Sequence, residues 1–199
     1  MNALFPFIDP RIEWKEVNLN EEFIKDNRDL NMKFVSDQNK LVDNEKYTFG
    51  GFREDRSVLW EGFEGEGVNM FHLGIDFNNL QPGDIVASLS DGLVIDILID
   101  ESDFNGWGTK IIIENDEYYF LYGHLMNPFV KMGNKIIKGD LIGVIASSDK
   151  NGGWFPHLHL QVMDKKELNV DIKEVDGYEF VKESIKGVVN PMMFISDLK

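Results

Sequence analysis

The spacing of apolar residues changes near residue 50. Before that point Leu19, Phe23, Ile24, Leu30, Phe34, Val35 and Leu41 recur in steps of three, four and seven. This spacing predicts an amphipathic helix, or two short ones, across residues 18–42. Asn18 or Asn20 stands where a helix cap belongs. Two readings are open: an arm packed on the main body, or a helix that binds a partner protein. Beyond Gly50-Gly51 the period shortens. Runs rich in β-branched residues occur at 85–89, 93–99, 110–114, 118–125, 141–146 and 158–163. Turn signals divide them at Pro82-Gly83-Asp84, Asp91-Gly92, Asn115-Asp116, Asn127-Pro128, Gly133-Asn134 and Asn151-Gly152-Gly153. Such strands predict a mainly β fold, an antiparallel two-sheet sandwich or flattened barrel rather than a parallel α/β sheet. The expected division is a partly helical N-terminal arm over 1–49 and a β domain over 50–199. Gly83-Asp84-Ile85-Val86-Ala87-Ser88 is echoed by Gly139-Asp140-Leu141-Ile142-Gly143-Val144-Ile145-Ala146-Ser147, a hint of two related β halves. The acidic stretch 164–176 carries no helical pattern and reads as a solvated connection.

Composition narrows the function. With 43% hydrophobic and 12% aromatic residues among 199, the chain can bury a core. Its formal net charge of −15 disfavours nucleic acid, anionic lipid and polyanionic wall polymers, all of which call for a cationic face. Cysteine is absent, so disulfides, thiolate zinc clusters and a cysteine nucleophile are excluded. No run of about 18 apolar residues exists to span a membrane. Residues 1–10 lack the basic and apolar regions of a secretory signal. Cytoplasmic residence and non-classical export both stay open.

All four histidines fall in three short motifs: Phe71-His72-Leu73-Gly74-Ile75-Asp76, Leu121-Tyr122-Gly123-His124-Leu125 and Phe155-Pro156-His157-Leu158-His159-Leu160-Gln161. In a strand, His157 and His159 share one face and Leu158 and Leu160 the other. His72 and Asp76, four apart, share a face of an extended segment, and Gly74 between them lets backbone lie close to a ligand. His72, Asp76 and one of the paired histidines would make a two-His, one-carboxylate site with an open fourth position, as in catalytic zinc centres. Spacing alone leaves zinc, iron or manganese. His124 and the remaining histidine are then the candidates for proton transfer and oxyanion stabilisation. Taken singly, His124 beside Tyr122 reads as a structural strand histidine, and an H-x-H pair as a surface feature. Their confinement to three motifs, one with an aligned carboxylate, favours the metal site. Strand alternation also expects Tyr122 and His124 to line one cleft together. Arg53 or Arg56 is a candidate clamp for a substrate carboxylate; the plainer alternative is that they balance Glu54 and Asp55. Trp107 and Phe104 either line the cleft or pin their loop.

His72-x-Gly74-x-Asp76, Tyr122-x-His124-Leu125 and Pro156-His157-Leu158-His159 resemble, in order, the signature of the lysostaphin/LytM-type zinc metallopeptidases. The resemblance covers roughly residues 50–195. It implies a duplicated hybrid β fold, Zn2+ held by His72, Asp76 and His159, and catalytic assistance from His157 and His124. It also implies cleavage of peptide bonds in bacterial wall peptides. Two departures bear on substrate. Trp154-Phe155 stands where Thr-Gly or Ser-Gly is common, so Trp154 and Phe155 join Tyr122 and Arg56 as candidate substrate contacts. Gln161 stands where Glu is frequent.

Three functions compete. The first is a zinc endopeptidase acting on peptidoglycan cross-links or related short peptides. The second is a binding or regulatory module without turnover, against which the complete set of five groups argues. The third is a zinc hydrolase of a cytoplasmic, non-wall amide, favoured by the −15 charge and the bulky Trp154-Phe155 pair.

Overall fold

The computed structural model describes residues 4–5, 13–26, 29–42, 47–60, 69–100, 102 and 106–195. In chain order the elements are β1 (Leu4–Phe5), β2 (Trp14–Glu16), α1 (Leu19–Asp26), α2 (Val35–Leu41), β3 (Tyr47–Gly50), β4 (Phe71–His72) and β5 (Ile75–Asn78). They continue with β6 (Ile85–Ala87), β7 (Gly92–Asp100), β8 (Gly108–Glu114), β9 (Tyr118–Met126), β10 (Lys135–Ile136) and β11 (Leu141–Ile145). The last strands are β12 (His157–Asp164), β13 (Tyr178–Glu179) and β14 (Val188–Val189). All six β-branched runs therefore become strands. The short strands around them lack a sequence signal of their own.

The fold is mainly β. Twelve of the described strands join one open hydrogen-bonded network, and β13 pairs with β4 apart from it. On one edge β9 pairs with β8 as far as Leu125. On its other edge residues 118–123 pair with β12, and Leu125 and Met126 pair with β11. The change of partner coincides with His124, whose φ of 60° interrupts the pleat. Opposite it, the β8–β9 register shifts between Thr109 and Ile111. Such a bulge bends a strand and re-aims its side chains.

Alternation explains the core. Ile111, Ile113, Phe120, Tyr122, Leu158 and Leu160 fill the main cluster, while Ile112, Leu121 and Met163 point to a second one with Ile172 and Val175. Both faces are covered, which is why β8 and β9 read as continuous apolar runs. The connection after β12 ends in a single turn of 3-10 helix, Ile172–Glu174, rather than a regular helix. The echoed Gly-Asp segments perform one job twice. Asp84 accepts the Gln81 N–H and Asp140 accepts the Ile137 N–H, and the strands that follow, β6 and β11, pair with each other.

The arm is more than helical, since β2 runs parallel to β3 and β1 parallel to β6. Asn18 caps α1 by accepting the Glu21 N–H at 3.0 Å, whereas the Asn20 side chain accepts from Leu59 N–H. Phe23, one of the periodic apolar positions, has a side chain outside the described set, and Phe34 lies exposed. Leu19, Met32 and Leu41 pack with Leu59, Trp60, Met70 and Phe155 in a third cluster. Among the described residues no helix is long and apolar enough to cross a membrane.

A buried amide locks this arm to the turn before β12. Gln38, 2% exposed, donates to the carbonyls of Met32 (2.8 Å) and Gly153 (3.2 Å) and accepts the Phe155 N–H at 2.8 Å. Gln38→Ala strands buried polar groups, each worth about 1–3 kcal/mol. Urea unfolding should show a loss of at least about 2 kcal/mol. A loss below about 0.5 kcal/mol would contradict this bracket.

Candidate metal centre

Strand pairing brings distant motifs together. Across β12 and β5, His159 lies opposite Asp76, and across β12 and β9 it lies opposite Gly123. Two glycines make room for its ring. A Cβ on Gly74 would sit 2.6 Å from His159 Nε2, and one on Gly123 would sit 2.5 Å from the Trp107 ring and 3.4 Å from His159 Cβ. His72 and Asp76 belong to separate strands, β4 and β5, with a break at Leu73-Gly74 instead of one extended segment. They still converge: His72 Nε2 is 3.3 Å from Asp76 Oδ1.

The hydrogen bonds on the far side of each ring settle which nitrogen faces inward. His72 Nδ1 donates to the Gly51 carbonyl at 2.9 Å, so Nε2 keeps its lone pair. His159 Nε2 donates to Gln161 Oε1 at 3.0 Å, so Nδ1 keeps its own. These two bare nitrogens face each other at 3.0 Å, and His159 Nδ1 is 3.1 Å from Asp76 Oδ1. The ligand atoms of His72, Asp76 and His159 all lie within 4.8 Å of one another, every residue buried. Two lone pairs and a carboxylate crowded together repel unless a cation lies among them. Outer nitrogens tied to oxygen acceptors are the usual support of metal-bound imidazoles. The donor set suits zinc.

Burial pushes the His72 imidazole down to about 4, and Arg56 reinforces the shift. His157 and His124 are also lowered, first by burial. Neutral imidazoles are the form that can bind a metal. Burial alone would raise the Asp76 carboxyl, yet His72 and Arg56 hold it well below its ordinary value.

Arg56 supports the cluster through a partner that its sequence neighbours do not show. It is 3% exposed; Nη1 donates to Asp76 Oδ2 at 2.8 Å and to the Tyr178 hydroxyl at 3.2 Å, and Nε donates to Glu54 Oε2 at 3.1 Å. It buttresses Asp76, and its Nη2 is buried without a hydrogen-bond partner among the described residues. Its balance with Glu54 is observed. Asp55 instead binds Ser57, and Arg53 pairs with Glu179.

The other expected residues divide. His157 Nδ1 donates to the Phe155 carbonyl at 2.7 Å, leaving Nε2 to face the cluster, 3.8 Å from Asp76 Oδ1. His124 packs against His157 with ring centroids 4.3 Å apart, and its buried Nδ1 has no partner. Trp154, Phe155 and Trp107 line the cleft; Phe104 lies outside the described residues. Tyr122 does not line it. The bulge at His124 puts His124 on the cleft side and leaves Tyr122 in the core, 0% exposed, its hydroxyl accepting the Leu89 N–H at 2.9 Å. Burial there pushes the phenol up to about 12. Tyr178 takes the place expected of Tyr122. It lines the cleft against His72, and its oxygen accepts from both Arg56 and Trp60, so its own O–H is left to donate. Nothing in its acidic surroundings singled it out, since the link to His72 is made only by the pairing of β13 with β4.

This mainly β scaffold carries a buried cluster of two histidines and one carboxylate that could hold a metal ion. Residues 70–172 match the family described as Peptidase family M23, and the chain belongs to that family. M23 metallopeptidases are zinc-dependent. An uncharacterized metalloprotease of Buchnera aphidicola subsp. Baizongia pistaciae is 31% identical over 125 residues, 61% of this chain. The match spans only 31% of that relative's length. Among solved structures, lysostaphin from Staphylococcus simulans is 25% identical, covering 64% of this chain and 45% of that one at a TM-score of 0.45. A zinc containing peptidase from Vibrio cholerae is 31% identical, covering 48% of this chain and 28% of that one at a TM-score of 0.41.

Arg56→Met strands two buried carboxylates, Glu54 and Asp76. Loss of one partner from a buried ion pair costs about 3–5 kcal/mol, and denaturant unfolding should show a loss on that scale. Stability within about 1 kcal/mol of the parent protein would show that Asp76 does not depend on this guanidinium.

Proposed function

We propose that the protein is a zinc-dependent metalloendopeptidase that hydrolyses peptide bonds in peptidoglycan cross-links or related short peptides. Its catalytic body is residues 50–199, with residues 1–49 as an arm packed against it. One observation carries the reading: two bare imidazole nitrogens and one carboxylate oxygen converge within 4.8 Å, each ring fixed from behind. His72, Asp76 and His159 would hold the ion. Zinc in such a site lowers the pKa of bound water and polarises a carbonyl.

The protein's own groups supply the rest. His157, anchored through Nδ1, presents Nε2 to the reacting centre as proton acceptor. His124 lies beside it with an unpartnered Nδ1, placed to hold a proton or meet the developing oxyanion. Trp107 stacks on His124 at 5.7 Å and 22° and fixes that ring. A second reading, a non-wall amide as substrate, draws support from the −15 charge and from the apolar wall that Trp154 and Phe155 give the cleft.

Digestion of purified muropeptides with and without chelator, followed by mass spectrometry, tests the wall reading. Chelator-sensitive cleavage is expected; no cleavage by zinc-loaded protein would contradict it. His159→Ala should lose zinc, whereas His157→Ala should keep zinc and lose turnover. The reverse pattern of metal retention would exchange the two roles. His124→Asn should keep fold and zinc while turnover falls by roughly 10²-fold or more. Normal turnover in a folded, metallated variant would return His124 to a structural role.

A further inference from the structure

Beside the metal cluster the cleft continues into an apolar chamber that the family match does not account for. Its walls are Leu19, Met32 and Leu41 from the arm and Leu59, Trp60 and Met70 from the segment before β4. Five of these six lie outside the matched residues 70–172. On the other side stand Trp154 and Phe155, directly before the H-x-H motif. None of the six is more than 7% exposed. Its one buried polar side chain from the arm, Gln38, is fully occupied in bracing α2 to the turn at Gly153–Phe155. Arg56 at the junction pairs with Asp76 and Glu54, while its Nη2 is buried without a hydrogen-bond partner among the described residues. The six side chains of this wall are themselves all apolar.

We propose that this chamber is a specificity subsite that takes one apolar side chain, branched aliphatic or aromatic, of a short peptide held at the metal centre. The inference rests on the zinc reading above and adds the substrate class to it. Continuity is the first argument, because His72, Asp76, His157 and His159 line the same cavity as the arm residues. Size is the second. The whole cavity, metal cluster and chamber together, holds about 180 Å³, so the chamber is only a part of that. A cavity of about 150 Å³ with aliphatic and aromatic walls admits benzene, whereas drug-sized ligands need about 300–1,000 Å³. One side chain fits, and a run of several residues does not. Position is the third: among the described residues, Leu19, Met32 and Leu41 of the arm line this end of the cavity. A glycine at this position would leave the chamber unfilled.

Titration of zinc-loaded, full-length protein with glycine hydroxamate and leucine hydroxamate isolates this contact from turnover. Both probes carry the same metal-binding head and differ by the isobutyl group. Tryptophan fluorescence reports occupancy, since Trp60 and Trp154 pack edge to face at 4.7 Å within the chamber wall. Zinc content is measured after each titration. Leucine hydroxamate should bind at least about 10-fold more tightly, the scale for burying one aliphatic side chain. Leu41→Trp, which fills the chamber, should bring the ratio of the two affinities towards one; Leu19→Trp serves the same purpose if Leu41→Trp does not fold. Equal affinities in the parent protein, or a leucine preference that survives the filling variant, would overturn the subsite. Failure of both probes to bind would instead overturn the zinc site on which it rests.

Discussion

The ion pair between Arg56 and Asp76 is the interaction on which the site depends. Both side chains are almost completely removed from water, 3% and 4% exposed. A carboxylate buried to that degree is costly unless it is paired and hydrogen-bonded. The guanidinium satisfies Oδ2 and leaves Oδ1 to the histidines, so one carboxylate is both neutralised from behind and offered in front. Arg56 is balanced in turn by Glu54, whose other oxygen accepts the Asn20 N–H of α1 at 2.7 Å. An unbroken line of polar contacts thus runs from the arm to the metal cluster.

A second line meets it from the opposite side. Gln38 holds the Phe155 N–H while the Phe155 carbonyl holds His157 Nδ1, so the arm also orients the H-x-H strand. Lys110 sits 5.0 Å over the Trp107 ring, which covers Gly123 and stacks on His124. His72 and His124 are positioned by partners from other parts of the chain, and His157 and His159 by partners two residues away. Such preorganisation lets a buried cluster keep one geometry while neutral imidazoles remain available.

How much of this was legible depended on distance along the chain. The H-x-H alternation was readable because strand geometry forces His157 and His159 to one face, and the structure keeps that arrangement. The six β-branched runs were readable for the same reason. The Tyr122–His124 pairing failed because alternation assumes an unbroken pleat, and the positive φ at His124 breaks it where β9 changes partners. The mainly β character was readable from the same runs, while the pairing of twelve described strands into one network was not. Of the partners of Arg56, Glu54 was readable because it lies two residues away, while Asp76 lies twenty residues on and carried no local signal. Tyr178 and Gln38 carried no local signal at all, since their roles exist only once β13 meets β4 and α2 meets the Gly153–Phe155 turn.

X-ray absorption at the zinc edge, on protein loaded with one equivalent of zinc, tests the central claim most directly. The account predicts two imidazole nitrogens and a carboxylate oxygen in the coordination shell, the donors that His72, His159 and Asp76 present. A shell of three imidazoles, or protein that takes up no zinc, would contradict it.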